Sequence, residues 1–206
     1  MLITMIISLY KNKSKVFINE NFAFVLHNSE LKKYSISENM EISEDIYNQI
    51  IEKVLKPRVK NRALYIIERN SKTEYEIREK LRKNEYTELL IDYAVEYLKS
   101  YKYIDDETYV KRYIEVRNNK YSINKLMYDL IKKGISKDLI KQCIEEQEEL
   151  TVYSERAKIK VFILKKYPDL EKTSITREEK YKLFCAIIRK GYTADDINAV
   201  FNEIMQ

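Results

Sequence analysis

The chain is poor in the residues that break regular structure. It has 2 glycines and 2 prolines in 206 residues. So few glycines argue against a phosphate-cradling loop and against an all-β fold with many tight turns. There is 1 histidine, His27, which removes His-based metal sites and disfavours Ser/His or Cys/His catalysis. The 2 cysteines, Cys143 and Cys185, stand far apart in apolar helical stripes and read as buried thiols in a reducing compartment. The opening MLITMIISLY is apolar but short, with no basic start or small-residue cleavage site, and no stretch is long enough to span a membrane. These features place the chain in the cytoplasm, with no cofactor and no metal expected. Tryptophan is absent against 18 tyrosines, a bias read as base composition rather than tyrosine chemistry.

What is present favours helices. Charged residues make up 34% and hydrophobic residues 45%. The net charge of +5 is unevenly spread, with 20 Lys/Arg against 14 Asp/Glu between residues 51 and 135. A basic middle fits either a polyanionic partner or a solvated helical surface.

The first 42 residues differ from the rest. ITMIISLY and SKVFINENFAFVL are rich in β-branched and aromatic residues, with turn chemistry around Asn19, Glu20 and Asn21. They predict two or three strands. LKKYSISENMEIS follows as a short helix and a further strand. Ser43 then caps a helix reaching about Leu55, and Pro57 marks a hinge. From Arg58 on, apolar residues recur at helical spacing, as in Val59, Ala63, Ile66 and Ile67, or Ile123, Leu126, Met127, Leu130 and Ile131. Ser71 with Glu74, Thr73 with Glu76, and Thr176 with Glu179 have capping-box spacing.

Three stretches repeat: LRKNEYTELLIDYAV from Leu81, LIKKGISKDLIKQCI from Leu130 and IIRKGYTADDINAVF from Ile187. Each begins with an aliphatic residue closing a helix. A turn residue follows (Glu85, Gly134 or Gly191), then an apolar residue (Tyr86, Ile135 or Tyr192) and a hydroxyl cap (Thr87, Ser136 or Thr193). Four residues further on stands an isoleucine: Ile91, Ile140 or Ile197. Spacings of 49 and 57 residues leave room for three short helices per unit. The fold predicted is mainly α: three tandem three-helix repeats in an elongated, curved array, with a small N-terminal β-containing segment. The segments are 1–56 (β segment and linker helix), 57–104, 105–147 and 148–206.

YIDDETYVKRYIEVR, from Tyr103, holds three consecutive carboxylates beside basic groups. A metal or acid–base site would need further ligands from elsewhere, and no second cluster is visible. A helix start explains every residue. Asp105 or Asp106 serves the exposed amides, and Tyr109, Val110, Tyr113 and Ile114 form the buried stripe.

These residues together resemble the RecX family of bacterial recombination regulators. ALYIIERNSKTEYEIREKL resembles the family's first module, YIDDETYVKRYIEVR its Tyr-Ile/Leu-Asp-Asp signature, and KKGIS its Lys-Gly-Ile/Val turn. KVFINENFAFVL with LKKYSISENMEIS is similar to the β-containing segment of Gram-positive members. Asn84-Glu85 stands where glycine is usual, and Val110 replaces a small residue. The resemblance implies a non-enzymatic protein that binds the recombinase RecA and its single-stranded-DNA filament in the helical groove; a monomer is expected. It implies inhibition of ATPase, strand exchange and filament extension in homologous recombination, DNA repair and the SOS response, with weak direct binding to single- or double-stranded DNA and no membrane. Candidate contacts are Arg69, Lys72, Arg78, Arg82, Lys83, Arg112, Arg117, Lys120, Lys132 and Lys133. Ser71, Glu74, Thr87, Asp105, Asp106, Ser136 and Thr193 are assigned to helix caps. The alternative is a direct DNA binder of helix-turn-helix-like modules, although ELLIDYAVEYL and DDINAVFNEI are acidic. Whether the β segment docks on the first module or moves freely is open at this level.

Overall fold

The computed structural model describes residues 1–146, 155–168, 170 and 175–204. The expected boundary at 147/148 lies outside them. The chain forms two compact units, Met1–Asp105 and Asp106–Gln206.

The first unit opens with an antiparallel sheet of β1 (Ile3–Leu9), β2 (Lys13–Ile18) and β3 (Asn21–His27), in that order. Both connections are tight because consecutive residues accept positive φ: Lys11 and Asn12 in the first, Asn19 and Glu20 in the second. One face carries Ile3, Val16, Ile18, Phe24 and Leu26, all buried. The short helix α1 (Asn28–Lys33) follows. In place of a further strand there is a single bridge between Leu2 and Glu41.

Ser43 caps α2 (Glu44–Ile50), accepting a hydrogen bond from the Ile46 amide. The sequence suggests a helix end near Leu55 and a hinge at Pro57. Instead the chain stays helical through a π-turn, Ile51–Leu55, into α3 (Lys56–Glu68). The Lys56 amide donates five residues back, to the Ile51 carbonyl. That wider turn takes up the strain of a proline ring and its missing N–H, so Pro57 is held without a break.

Helices α4 (Glu74–Arg82) and α5 (Glu88–Ser100) complete a three-helix group with α3. Its core residues Val59, Ala63, Ile77, Leu81, Ile91 and Leu98 belong to the same buried cluster as the sheet's inner face and Leu55. The β segment therefore docks on the first helical group. Burial of each such aliphatic side chain contributes about 1.5–3 kcal/mol. Polar ties add direction: the Arg58 guanidinium donates to the Val25 carbonyl at 3.2 Å and to the Glu30 carboxylate, and Lys15 pairs with Glu85 at 2.5 Å.

The second unit holds two further groups. Helices α6 (Asp106–Arg117), α7 (Ile123–Lys132) and α8 (Lys137–Glu145) enclose Val110, Ile114, Leu126, Leu130, Ile140 and Cys143. Helices α9 (Glu155–Lys166), α10 (Arg177–Ile188) and α11 (Ala194–Ile204) enclose Ile159, Ile163, Leu183, Ile187, Ile197 and Phe201. Both cysteines are free thiols. Cys143 is buried as expected, but Cys185 is half-buried beside the Tyr181 hydroxyl.

The sequence repeat is visible in the geometry. Leu81, Leu130 and Ile187 are fully buried, as are Ile91, Ile140 and Ile197. The turn residues Glu85, Gly134 and Gly191 all take positive φ: 63°, 81° and 90°. That left-handed step lets Tyr86 and Ile135 return their amides to the carbonyls of Leu81 and Leu130, closing the helix ends.

Within the second unit, the third group meets the second through a polar seam. The buried Ser122 hydroxyl donates to the Gly191 carbonyl at 2.7 Å, and its amide to the Lys190 carbonyl at 3.0 Å. Lys158 Nζ donates to the buried Asn118 side chain at 2.6 Å. A Cβ at Gly191 would lie 2.5 Å from Lys125 Cβ and 2.6 Å from Ser122 Oγ. Only glycine allows this approach.

Some of the expected caps are in place. Ser136 accepts from the Leu139 amide, Thr193 from the Asp196 amide, and Thr176 forms a capping box with Glu179. Thr87 precedes α5 without a side-chain cap bond. Asp105 immediately precedes α6, whose first turn contains Asp106 and Glu107. Ser71 is a correction. The cap of α4 is the fully buried Thr73, boxed with Glu76, because helical geometry starts at Glu74. Glu74 is therefore the first helical residue, and its carboxylate binds Arg78 and Lys99.

Candidate partner-binding surface

The ten candidate cations divide by what lies against them. Arg78 bridges Glu74 and Asp92 at 2.8 and 2.6 Å. Arg82 binds Glu88 through two nitrogens, at 2.6 and 2.9 Å, and Glu79 at 2.7 Å. Burial lowers the affinity of Arg78 for its proton, but the bonds to Asp92 and Glu74 outweigh this and raise its pKa. The hydrogen bonds that Arg82 donates to Glu88 and Glu79 raise its pKa. Burial pushes the Glu74 carboxyl up, and Lys99 and Arg78 together bring it below its ordinary value. These two arginines hold the first helical group together, and their charge is already matched.

Arg69, Lys72, Lys83, Arg112 and Lys120 have no carboxylate within ion-pair distance among the described residues, and Arg69, Lys83, Arg112 and Lys120 are exposed. The remaining three lie against rings. Arg117 sits 4.2 Å from the centre of the Tyr113 ring, Lys133 5.6 Å from Tyr109, and Lys132 4.5 Å from Tyr128. For Arg117 and Lys132 the ring holds the cation by its face and leaves N–H groups available to an anion, whereas a carboxylate partner occupies them.

The local sequence explains the ladder. Tyr109, Tyr113 and Arg117 recur every four residues, so they share one side of α6. Tyr109 and Tyr113 stack with centroids 6.1 Å apart at 22°. The sequence puts both tyrosines in the core stripe; they are half-buried, and the fully buried positions are Val110 and Ile114. Burial raises the Tyr113 pKa, and the Asp129 charge adds to it. Arg112, three residues from Tyr109, and the exposed Val116 border the same side. On α7, Tyr128 lies between Lys132 and Lys125, and Lys125 pairs with Asp129 at 2.6 Å. Tyr128 and Lys125 escaped the sequence reading, although their spacing of three and four from each other and from Lys132 would have shown them. Lys111 is spent on Glu107 and Glu146, at 2.6 and 2.8 Å.

Among the described residues, no group of three or more His, Cys, Asp or Glu side chains could hold a metal ion, and no helix is long and apolar enough to cross a membrane. The surface of α6 and α7 offers cations and ring faces.

The fold defines a helical-repeat protein with a small N-terminal sheet. Residues 60–98 match the family model described as RecX, first three-helix domain. The chain belongs to the RecX family. It is 34% identical to the regulatory protein RecX of Clostridium beijerinckii over 200 residues, covering 95% of this chain and 92% of that one. Against the regulatory protein RecX of Clostridium acetobutylicum it is 32% identical, covering 94% and 91%. Among solved structures, a crystal structure of a regulatory protein RecX aligns over 98% of both chains with a TM-score of 0.57 at 18% identity. RecX from Lactobacillus salivarius aligns over 73% of this chain and 96% of its own, with a TM-score of 0.55 at 20% identity. These two likenesses concern the fold.

Proposed function

We propose that this protein regulates homologous recombination by binding RecA, chiefly as the filament on single-stranded DNA. It acts as a cytoplasmic monomer, without catalysis of its own. It lowers RecA ATPase and strand exchange and limits filament extension. Segments 57–104, 105–147 and 148–206 act as successive contact modules, with 1–56 fixed to the first.

Family membership, at over 30% identity across nearly the whole chain, carries this reading. The ring-backed cations Arg117 and Lys132, with Arg112 and Lys120, support it as a surface for an acidic or phosphate-bearing partner. Arg78 and Arg82 leave the set of proposed contacts, since carboxylates hold them.

The test is RecA ATPase on single-stranded DNA, with co-sedimentation of this protein on the filament. Inhibition at substoichiometric protein with co-sedimentation is expected. No inhibition and no filament binding at saturating protein would reject the proposal.

A further inference from the structure

Three parts of the first unit converge on a small cavity. The sheet contributes Lys13 and Phe24, the π-turn and α3 contribute Leu55 and Arg58, and the turn before α5 contributes Tyr86 and Thr87. The cavity measures about 30 Å³, room for about two waters, and it opens to solvent. Its inner wall is apolar, since Phe24, Leu55 and Leu90 are all buried. Lys13 and Asn84 are exposed and stand at the mouth. The left-handed step at Glu85, with φ 63°, ends α4 and brings Tyr86 and Thr87 onto the wall.

The polar groups around the cavity differ in what already holds them. Its acceptors are engaged: Asn84 Oδ1 by Arg62 Nε at 2.6 Å, the Val25 carbonyl by Arg58 at 3.2 Å, and the Glu85 carboxylate by Lys15 at 2.5 Å. Its donors are open. Among the described residues, Lys13 has no carboxylate partner, the Tyr86 hydroxyl has no hydrogen-bond partner, and the Thr87 hydroxyl makes no cap bond to α5. The engaged Oδ1 leaves the Asn84 amide nitrogen as a further donor. Burial raises the Tyr86 pKa, and the charges of Arg58 and Arg62 only partly oppose it, so the hydroxyl keeps its proton. Glu30 matches Arg58 and Lys15 matches Glu85, which leaves Lys13 as the unmatched charge.

We propose that this cavity binds a small aliphatic monocarboxylate, its carbons against the buried wall and its carboxylate at the mouth among Lys13, Asn84, Tyr86 and Thr87. Engaged acceptors and open donors call for an acceptor-rich ligand, and a carboxylate takes bonds from several donors at once. One unmatched lysine fits one negative charge, whereas a dianion meets added repulsion from Glu85. The volume admits about two carbon-sized groups, so the chain is short. Such a ligand touches β2 on one side and the α4–α5 turn on the other, and its binding ties the sheet to the first helical group. None of these residues is among the cations proposed to meet RecA, and the inference stands without that reading.

The full-length protein, nitrogen-15 labelled and without RecA, is titrated with sodium propionate at constant ionic strength, and amide shifts are followed by NMR. Propionamide, of the same shape but uncharged, is titrated in parallel. Propionate is expected to produce saturable shifts at Lys13, Val25 and Asn84 to Thr87, with one Kd on the order of 1–10 mM. Propionamide is expected to bind roughly tenfold more weakly. Lys13→Gln should weaken propionate binding roughly fivefold and Tyr86→Phe roughly threefold, each with the remaining amide spectrum unchanged. The proposal is overturned if about 50 mM propionate causes no saturable shift at these amides. Equal binding of propionamide, or shifts spread over other lysine-bearing surfaces and unaltered in both variants, overturns it as well. RecA inhibition is read in a separate assay, so either proposal can fail alone.

Discussion

Replacing Gly191 by alanine tests the seam inside the second unit. At φ 90° an L side chain is disfavoured, which costs about 1–2 kcal/mol. The added Cβ would stand 2.5 Å from Lys125 Cβ and 2.6 Å from Ser122 Oγ, far inside van der Waals contact. Relieving such overpacking costs about 1–3 kcal/mol more. The movement also stretches the 2.7 Å bond from the buried Ser122 hydroxyl to the Gly191 carbonyl, so a total near 3 kcal/mol is expected. Urea unfolding followed by circular dichroism measures it. A double-mutant cycle with Ser122→Ala isolates the contact. Removing Oγ abolishes both one clash and the bond at risk, so Gly191→Ala should cost about 1 kcal/mol less in that background. Costs that add to within about 0.5 kcal/mol would refute this account of the close approach.

Three other outcomes follow from individual side chains. Glu85 holds the left-handed turn that closes α4 and also pairs with Lys15, so in a Lys15→Ala background Glu85→Gly should stabilise by about 1 kcal/mol in urea unfolding, and a loss of stability would contradict this. Thr73→Ala should cost about 1–2 kcal/mol and Ser71→Ala under about 0.5, because the buried threonine caps α4; thermal denaturation of both variants decides. Glu74 has a lowered folded pKa, so its stabilisation is present above the unfolded carboxylate pKa near 4.3 and lost as pH falls through the folded value. Urea midpoints of wild type and Glu74→Gln should therefore differ at pH 7 and converge in acid; a constant difference would contradict the ion pairs with Lys99 and Arg78.

Much of the architecture could be read from local pattern. The register of turn, cap and isoleucine recurs three times and aligns Glu85 with two glycines, in keeping with its φ of 63°. Apolar spacing identified the core positions because burial follows helical period. What escaped depends on contacts distant in sequence or on a choice between near-equal signals. Arg78 looks like any exposed cation until Asp92, fourteen residues on, is brought beside it by the packing of α4 on α5. Ser71 and Thr73 both begin a capping-box spacing, and only the start of helical geometry selects Thr73. Pro57 reads as a breaker because a π-turn has no local sequence signal that separates it from a helix end. The surface tyrosines share the period of the core, so spacing alone could not separate Tyr109 and Tyr113 from Val110 and Ile114.

The most direct measurement of the central claim compares wild type with the charge-reversed variant Arg112→Glu/Arg117→Glu/Lys132→Glu in RecA ATPase on single-stranded DNA. Wild type should inhibit below stoichiometry, and the folded variant should need at least about tenfold more protein, as expected when several unmatched cations at a contact are reversed. Equal inhibition by the two proteins would contradict the assignment of α6 and α7 as the contact surface, and no inhibition by wild type at saturation would contradict the function itself.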